Sequence, residues 1–132
     1  MLTLPPSVRI YLAPEPVDLR KGFEGLGAIV RGAWKMDLFA GHLFVFLGRR
    51  LDRCKILFWD RAGLVVYYKR LERGRFRVPR RSRDGKVLEM EATELAMLLD
   101  GLDFGRVQKP ERWVPGVKKA GASKRMDRAI GI

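Results

Sequence analysis

The sequence predicts an α+β fold: an antiparallel sheet with a central three-stranded meander plus edge strands, and two main helices. Three observations carry this expectation. Three apolar, aromatic-rich runs, His42–Leu47, Lys55–Trp59 and Leu64–Tyr68, follow one another closely, and β-branched and aromatic residues suit a pleated, half-buried surface. The polar breaks between them, 48–53 and 60–63, have the length and residue types of hairpin loops. Stretches with apolar residues at helical spacing lie on either side of the meander.

Taken in order, Leu4-Pro5-Pro6 is an extended lead-in, because a proline holds its predecessor out of the helical region. Val8–Leu12 reads as a strand with Val8, Ile10 and Leu12 on one face and Arg9 and Tyr11 on the other, stopped by Ala13-Pro14-Glu15-Pro16. Asp18 reads as the N-cap of a helix running to Trp34, with Leu19, Phe23, Leu26, Val30 and Ala33/Trp34 as its apolar stripe. Gly22, Gly25, Gly27 and Gly32 interrupt that helix. Each costs about 1 kcal/mol against alanine, which close packing of the helix backbone on the sheet would explain. In the meander Leu43, Val45 and Leu47 oppose His42, Phe44 and Phe46, so neither side is polar, and strands of that kind are covered on both faces. The first helix is expected on one face and the later helix, or a partner, on the other. Ser82–Lys86 is a turn with the Asp84-Gly85 hairpin signal, and Val87–Met90 a short returning strand. A helix then opens at Ala92 or Thr93, buries Leu95, Ala96, Leu98, Leu99 and Leu102, and ends near Gly101. Residues 1–106 are expected to form one domain. Residues 107–132 mix Pro, Gly, Lys and Ala without a sustained period, and read as a basic, mobile tail.

Composition narrows the function. With 132 residues and 47% apolar content the chain can bury a single core. The net charge is +12, and residues 48–86 alone hold fourteen Lys/Arg against four Asp/Glu, leaving only +1 in each flank. A localised excess of this size implies a polyanionic partner, with nucleic acid the first candidate. No apolar run approaches the roughly 20 residues of a membrane span. The N-terminal residues lack a secretory leader pattern. One cysteine and one histidine can build neither an internal disulfide nor a zinc site. A reducing cytoplasm, with no cofactor and no metal, is the expectation.

The candidate nucleic-acid-binding residues form two groups. Arg49, Arg50, Arg53 and Lys55 surround the first loop of the meander. Lys69, Arg70, Arg73 and Arg75, continued by Arg77, Arg80 and Arg81, lie at and beyond the end of its third strand. In an antiparallel meander the end of strand three lies at the same end of the sheet as the loop joining strands one and two, so the groups should converge. Arginine forks suit phosphate oxygens, and a row of them gives sequence-independent, salt-sensitive binding. His42, the only histidine, reads as structural. Asp52, Asp60, Glu72 and Asp84 would make a metal-dependent nuclease site only if they converged, and strand alternation gives no reason for them to do so. Of the aromatics, Tyr67, Tyr68 and Phe76 lie near enough to the cations to stack on bases; Trp59 reads as core.

The segments VRIYLA, VDLRKGFEGLGAIV, GHLFVFLGRR and ELAMLLDGLD, together with Tyr68-Lys69-Arg70-Leu71-Glu72-Arg73-Gly74-Arg75-Phe76, occur in an order and spacing that closely resembles the small TnpB-type accessory protein of IS-66-type bacterial insertion sequences. That family is unrelated to the RNA-guided nucleases of the same name. The resemblance spans roughly residues 4–105, departs at Leu38, where many members have proline, and does not reach the tail. It implies a non-enzymatic accessory protein for DNA transposition, acting beside a separate transposase that holds the catalytic carboxylates. The implied partners are DNA and the transposase of the same element. A module that docks the transposase through an open apolar sheet face is the alternative, and a nuclease a more distant one. The resemblance supplies no site residues, so those proposed rest on charge and geometry.

Overall fold

The computed structural model of the protein describes residues 7–78, 82 and 84–101. The proline lead-in, Arg80, Arg81, Arg83, Leu102, the 106/107 boundary and the tail lie outside the described residues. The element order is β1 (Ile10–Leu12), α1 (Phe23–Ala28) continued by a π-helical segment (Ile29–Ala33), β2 (Leu43–Leu47), β3 (Arg53–Asp60), β4 (Gly63–Arg70), β5 (Leu88–Met90) and α2 (Ala92–Leu99). The strands form one five-stranded sheet in the order β4-β3-β2-β1-β5. No helix among the described residues is long and apolar enough to cross a membrane.

The expected meander is present as β2-β3-β4, with Phe44 opposite Leu57 and Leu57 opposite Val66. The fold is α+β and its sheet mostly antiparallel, but β1 and β2 run parallel, with Ile10 beside Leu43 and Leu12 beside Val45. The cause is the connection. A parallel pair needs a long crossover, usually helical, and residues 13–42 supply one. After β1 the chain stays beside β2, where Ala13 and Val17 donate their amides to the carbonyls of Val45 and Leu47 at 2.9 and 2.8 Å. The Asp84-Gly85 turn forms, with Gly85 at φ +73°, and Asp84 Oδ1 accepts from the Lys86 amide. It closes no hairpin among the described residues; β5 pairs antiparallel with β1 instead.

Alternation divides the sheet into two faces, and both are covered. Ile10, Leu12, Leu43, Val45, Leu47, Cys54, Ile56 and Met90 pack with Leu95, Leu98 and Leu99 of α2 and with Phe76. On the other face Phe44, Phe46 and Leu57 pack with Leu26, Val30 and Leu38, and Tyr11, Leu19 and Trp34 close the edges. Coverage of both faces is as expected for β1, β2, β3 and β5, while the residues of the edge strand β4 are half-buried or exposed.

The first helix starts four residues later than its pattern suggests, with Gly22 rather than Asp18 at the N-cap. Asp18 is not its N-cap: Oδ1 accepts the amide of Arg20 at 3.0 Å, while Arg20's guanidinium grips both carboxylate oxygens. This local turn competes with a helical start. Gly22, at φ −106° and ψ −148°, keeps the chain non-helical up to Phe23. Phe23 is consequently half-exposed, although the apolar stripe placed it inside. Leu19 still reaches the core, packing closely on Gly48. Past Ala28 the helix widens, and the Trp34 amide bonds the carbonyl of Ile29, five residues back, at 3.0 Å. The wider turn delivers the Trp34 ring onto Phe46, stacked at 5.2 Å and 17°. Of the four helix glycines only Gly27 meets a close neighbour from a distant part of the fold, and that neighbour is Leu38, 3.1 Å from where a Cβ would stand, rather than the sheet.

α2 opens with a reciprocal capping box, in which Glu91 accepts the N3 amide and Glu94 accepts the amide of Glu91 at 2.9 Å. It stops at Gly101, φ +73°, the left-handed residue that commonly ends helices.

Phe76, 1% exposed in a segment without regular structure, supplies a core side chain from outside the sheet. Phe76→Ala should lower stability by about 3–5 kcal/mol in a denaturant melt, whereas Phe23→Ala, at a half-exposed site, should stay within about 0.5 kcal/mol. Burial of Cys54 pushes its thiol from the usual 9.0 up to about 12, against a smaller opposing pull from Lys69. The folded chain thus holds a proton that the unfolded chain releases near pH 9. Stability should be unaffected by this group below pH 9 and fall as pH rises from there toward 12. In a thiol-reagent assay near neutral pH Cys54 should react only after unfolding.

Candidate nucleic-acid interface

The two cationic groups meet at one end of the sheet because the chain is tied there. Leaving β4, Leu71 donates its amide to the carbonyl of Asp52 at 2.8 Å, and after a turn at Gly74 the amide of Phe76 donates to the carbonyl of Leu51. Both acceptors belong to the β2–β3 loop. With the Phe76 ring in the core, the 71–76 excursion cannot move away from Arg49 and Arg50. Arg49, Arg50, Asp52, Gly74 and Arg75 line one cleft. A second, open cleft of about 830 Å³ lies on the α1 face, between Val17–Arg20 and the loop with the start of β3. Arg20, Arg49, Arg50, Arg53, Lys55 and Tyr68 are among its lining residues. The clefts share Arg49, Arg50 and Asp52.

Register decides which strand cations join. Arg53 lies opposite Arg70, Lys55 opposite Tyr68, and Cys54 opposite Lys69. Arg53, Lys55, Tyr68 and Arg70 therefore share the α1 face, continuing the row that begins with Leu57 and Val66. Lys69 lies on the opposite face and does not join: its Nζ donates to the carbonyl of Leu99 at 2.6 Å, satisfying the C-terminal end of α2 where a cation is favoured. Arg73 and Arg77 are exposed in the segment after β4. Arg70 pairs with Glu72 at 3.3 Å and Arg20 with Asp18 at 2.8 Å. Among the described residues no ion pair engages Arg49, Arg50, Arg53, Lys55, Arg73, Arg75 or Arg77.

Arg20 is a residue that the charge count passed over, since it stands in a nearly neutral stretch. The Asp18-Leu19-Arg20 turn carries it to the cleft, with its side chain 91% exposed. The hydrogen bonds from Arg20 hold the Asp18 carboxyl well below the usual carboxylate range, so the two stay paired at neutral pH.

The remaining candidates separate. Phe76 is core and cannot stack on a base. Trp59 packs edge-on against Phe39 at 5.1 Å. Tyr67 is exposed but faces away from the α1-side cleft, by alternation with Tyr68. His42 Nδ1 accepts the amide of Arg9 at 3.0 Å and its ring meets Tyr11 edge-on, a structural arrangement. Asp52 lines the clefts, Asp60 lies at the far end of β3, Glu72 pairs with Arg70, and Asp84 holds its own turn. No three metal-ligating side chains converge among the described residues.

Fold and surface together define a small α+β protein with a basic corner and clefts open to solvent. The chain belongs to the IS66 Orf2-like protein family, which matches residues 8–109. Membership implies an accessory role in the transposition of IS66-type elements. Two proteins of Sinorhizobium fredii described as uncharacterized are similar. One, y4jC, is 40% identical over 103 residues, covering 78% of this chain and 86% of its own length. The other, y4hO, is 36% identical over 115 residues, covering 87% and 96%. No solved structure matches the chain.

Directly opposed like charges destabilise a strand pair by roughly 0.2–1 kcal/mol, and Arg53 opposite Arg70 is such a pair. Arg53→Thr should raise stability by about that amount in low-salt thermal melts, with the gain shrinking as salt screens the repulsion. Equal stability of the two proteins in low salt would show that the arginines do not repel.

Proposed function

We propose that this protein is a non-enzymatic transposition factor whose basic corner binds DNA, alone or already engaged by the transposase of the same element. The observation that carries the reading is the placement of Arg49, Arg50, Arg53, Arg70 and Arg75 around one sheet end, most of them without an acidic partner, including two directly opposed across β3 and β4. A fold gains nothing in stability from this arrangement; a polyanion resolves it. Arg73 and Arg77 are exposed in the adjoining segment, and Arg80 and Arg81 follow them in sequence. Lys69 is left out of the surface, because it closes α2.

Contacts of this kind are mainly to phosphates, so binding should weaken steeply with salt. Four to six phosphate contacts correspond to a slope of log K against log salt of about −4 to −5. Replacing Arg49, Arg50, Arg70 and Arg73 together by glutamate should reduce binding at least about a hundredfold in a gel-shift assay, with the circular dichroism spectrum and melt retained. Undiminished binding by that variant, or a flat salt response, would refute the assignment.

A further inference from the structure

We propose that the α1-face cleft seats an unpaired nucleotide, so that the protein prefers single-stranded DNA to duplex. The inference rests on the nucleic-acid reading but goes beyond it, because phosphate contacts alone do not separate the two forms.

Three chemistries are brought together here. Arg49, Arg50 and Arg53 supply cations at the cleft walls, beside the Arg20–Asp18 pair. Tyr68 supplies an aromatic surface that is 50% exposed. Its ring is held in place: Lys55 Nζ sits 4.8 Å from the ring centroid on one face while donating to the carbonyl of Lys21 at 3.0 Å, and Arg53 Nη1 lies 3.5 Å from the phenol oxygen. Half of the Tyr68 side chain stays exposed at the cleft, and that exposed ring surface is where a base would stack. Asp52 supplies a carboxylate to the same cleft. Among the described residues no ion pair engages it. In a site built only for phosphate a carboxylate is unfavourable, whereas the exocyclic amino groups of cytosine and adenine are donors that fit it.

A base can lie on a tyrosine ring only when it has left its stack. Such stacking tolerates any sequence, since every base has a π face. The open cleft of about 830 Å³ is within the size range of sites that enclose a small ligand. A duplex presents its phosphates to the rim arginines but keeps its bases from Tyr68.

The test is fluorescence polarisation with the full chain. The probes are a labelled oligonucleotide of about 15 nucleotides without self-complementarity, and the duplex made from it. The single strand should bind about tenfold more tightly. Tyr68→Ala should weaken single-strand binding about tenfold and duplex binding less than twofold, while Tyr68→Phe, which keeps the ring, should bind like the wild type. Equal affinity for the two probes, or an equal loss on both in Tyr68→Ala, would overturn the proposal. If Arg49→Glu/Arg50→Glu then still abolished duplex binding, the basic-surface reading would stand without it. Binding of neither probe by the wild-type chain would overturn both. Tyr68 is half-exposed, so its alanine variant should fold, and the phenylalanine variant separates loss of the ring from loss of the hydroxyl.

Discussion

The anchoring of residues 71–76 to the β2–β3 loop is the constraint on which the basic corner depends. Two backbone hydrogen bonds, from Leu71 to Asp52 and from Phe76 to Leu51, fasten the excursion, and the Phe76 side chain locks it into the core. Without that anchor Arg73 and Arg75 would hang from a free loop, and any electrostatic focus at the corner would be averaged over its motion. Leu51, whose carbonyl accepts the Phe76 amide, takes a left-handed backbone, φ +61°. For a residue with a Cβ this conformation is unfavourable, and the local expense falls at the loop that carries Arg49 and Arg50.

The corner goes against stability in a second way. Arg53 and Arg70 face each other across a strand pair, a position where neutral residues would pair better. Departures from local consistency concentrate at functional places, and this one coincides with the densest charge in the sequence. The contrast with Lys69 is instructive. It is a neighbour of Arg70 in the same basic run, yet it reaches across to the last turn of α2 and is structural. Local sequence density of charge therefore identified the region, and strand register sorted its members.

Much of this was legible because it depended on short-range patterns. The meander, the coverage of both sheet faces, the returning strand and the second helix all follow from periodicity and turn chemistry. The misplaced features depend on competition or on long-range pairing. Asp18 looked like a helix cap because capping and a local Asp–Arg turn draw on the same residue types, and the Arg20 side chain settled the competition. The parallel β1–β2 pair was implicit in a strand–helix–strand order, but choosing it required knowing that β5 pairs with β1. Phe76, in a basic stretch between Arg75 and Arg77, gave no periodic signal that it belongs to the core. Arg20 was missed for the complementary reason: it joins the cleft through the fold, from a part of the chain with no charge excess.

A single alternation links the core to the cleft. On β3, Arg53, Lys55 and Leu57 point to the α1 face, while Cys54 and Ile56 point to the α2 face; on β4, Arg70, Tyr68 and Val66 match the first set and Lys69 and Tyr67 the second. Sliding either strand by one residue would bury the cations and expose the apolar side chains. The hairpin at Asp60–Gly63, with Arg61 at φ +49°, fixes that register at the far end of the sheet. Burial of Cys54, Ile56 and Leu57 resists any slip along its length. The positioning of Tyr68 between Arg53 and Lys55 therefore needs no separate device at the cleft, because the energy that orders it is the burial energy of the alternate residues. It also means that core substitutions in β3 act on the cleft directly, by loosening the register that aims its side chains.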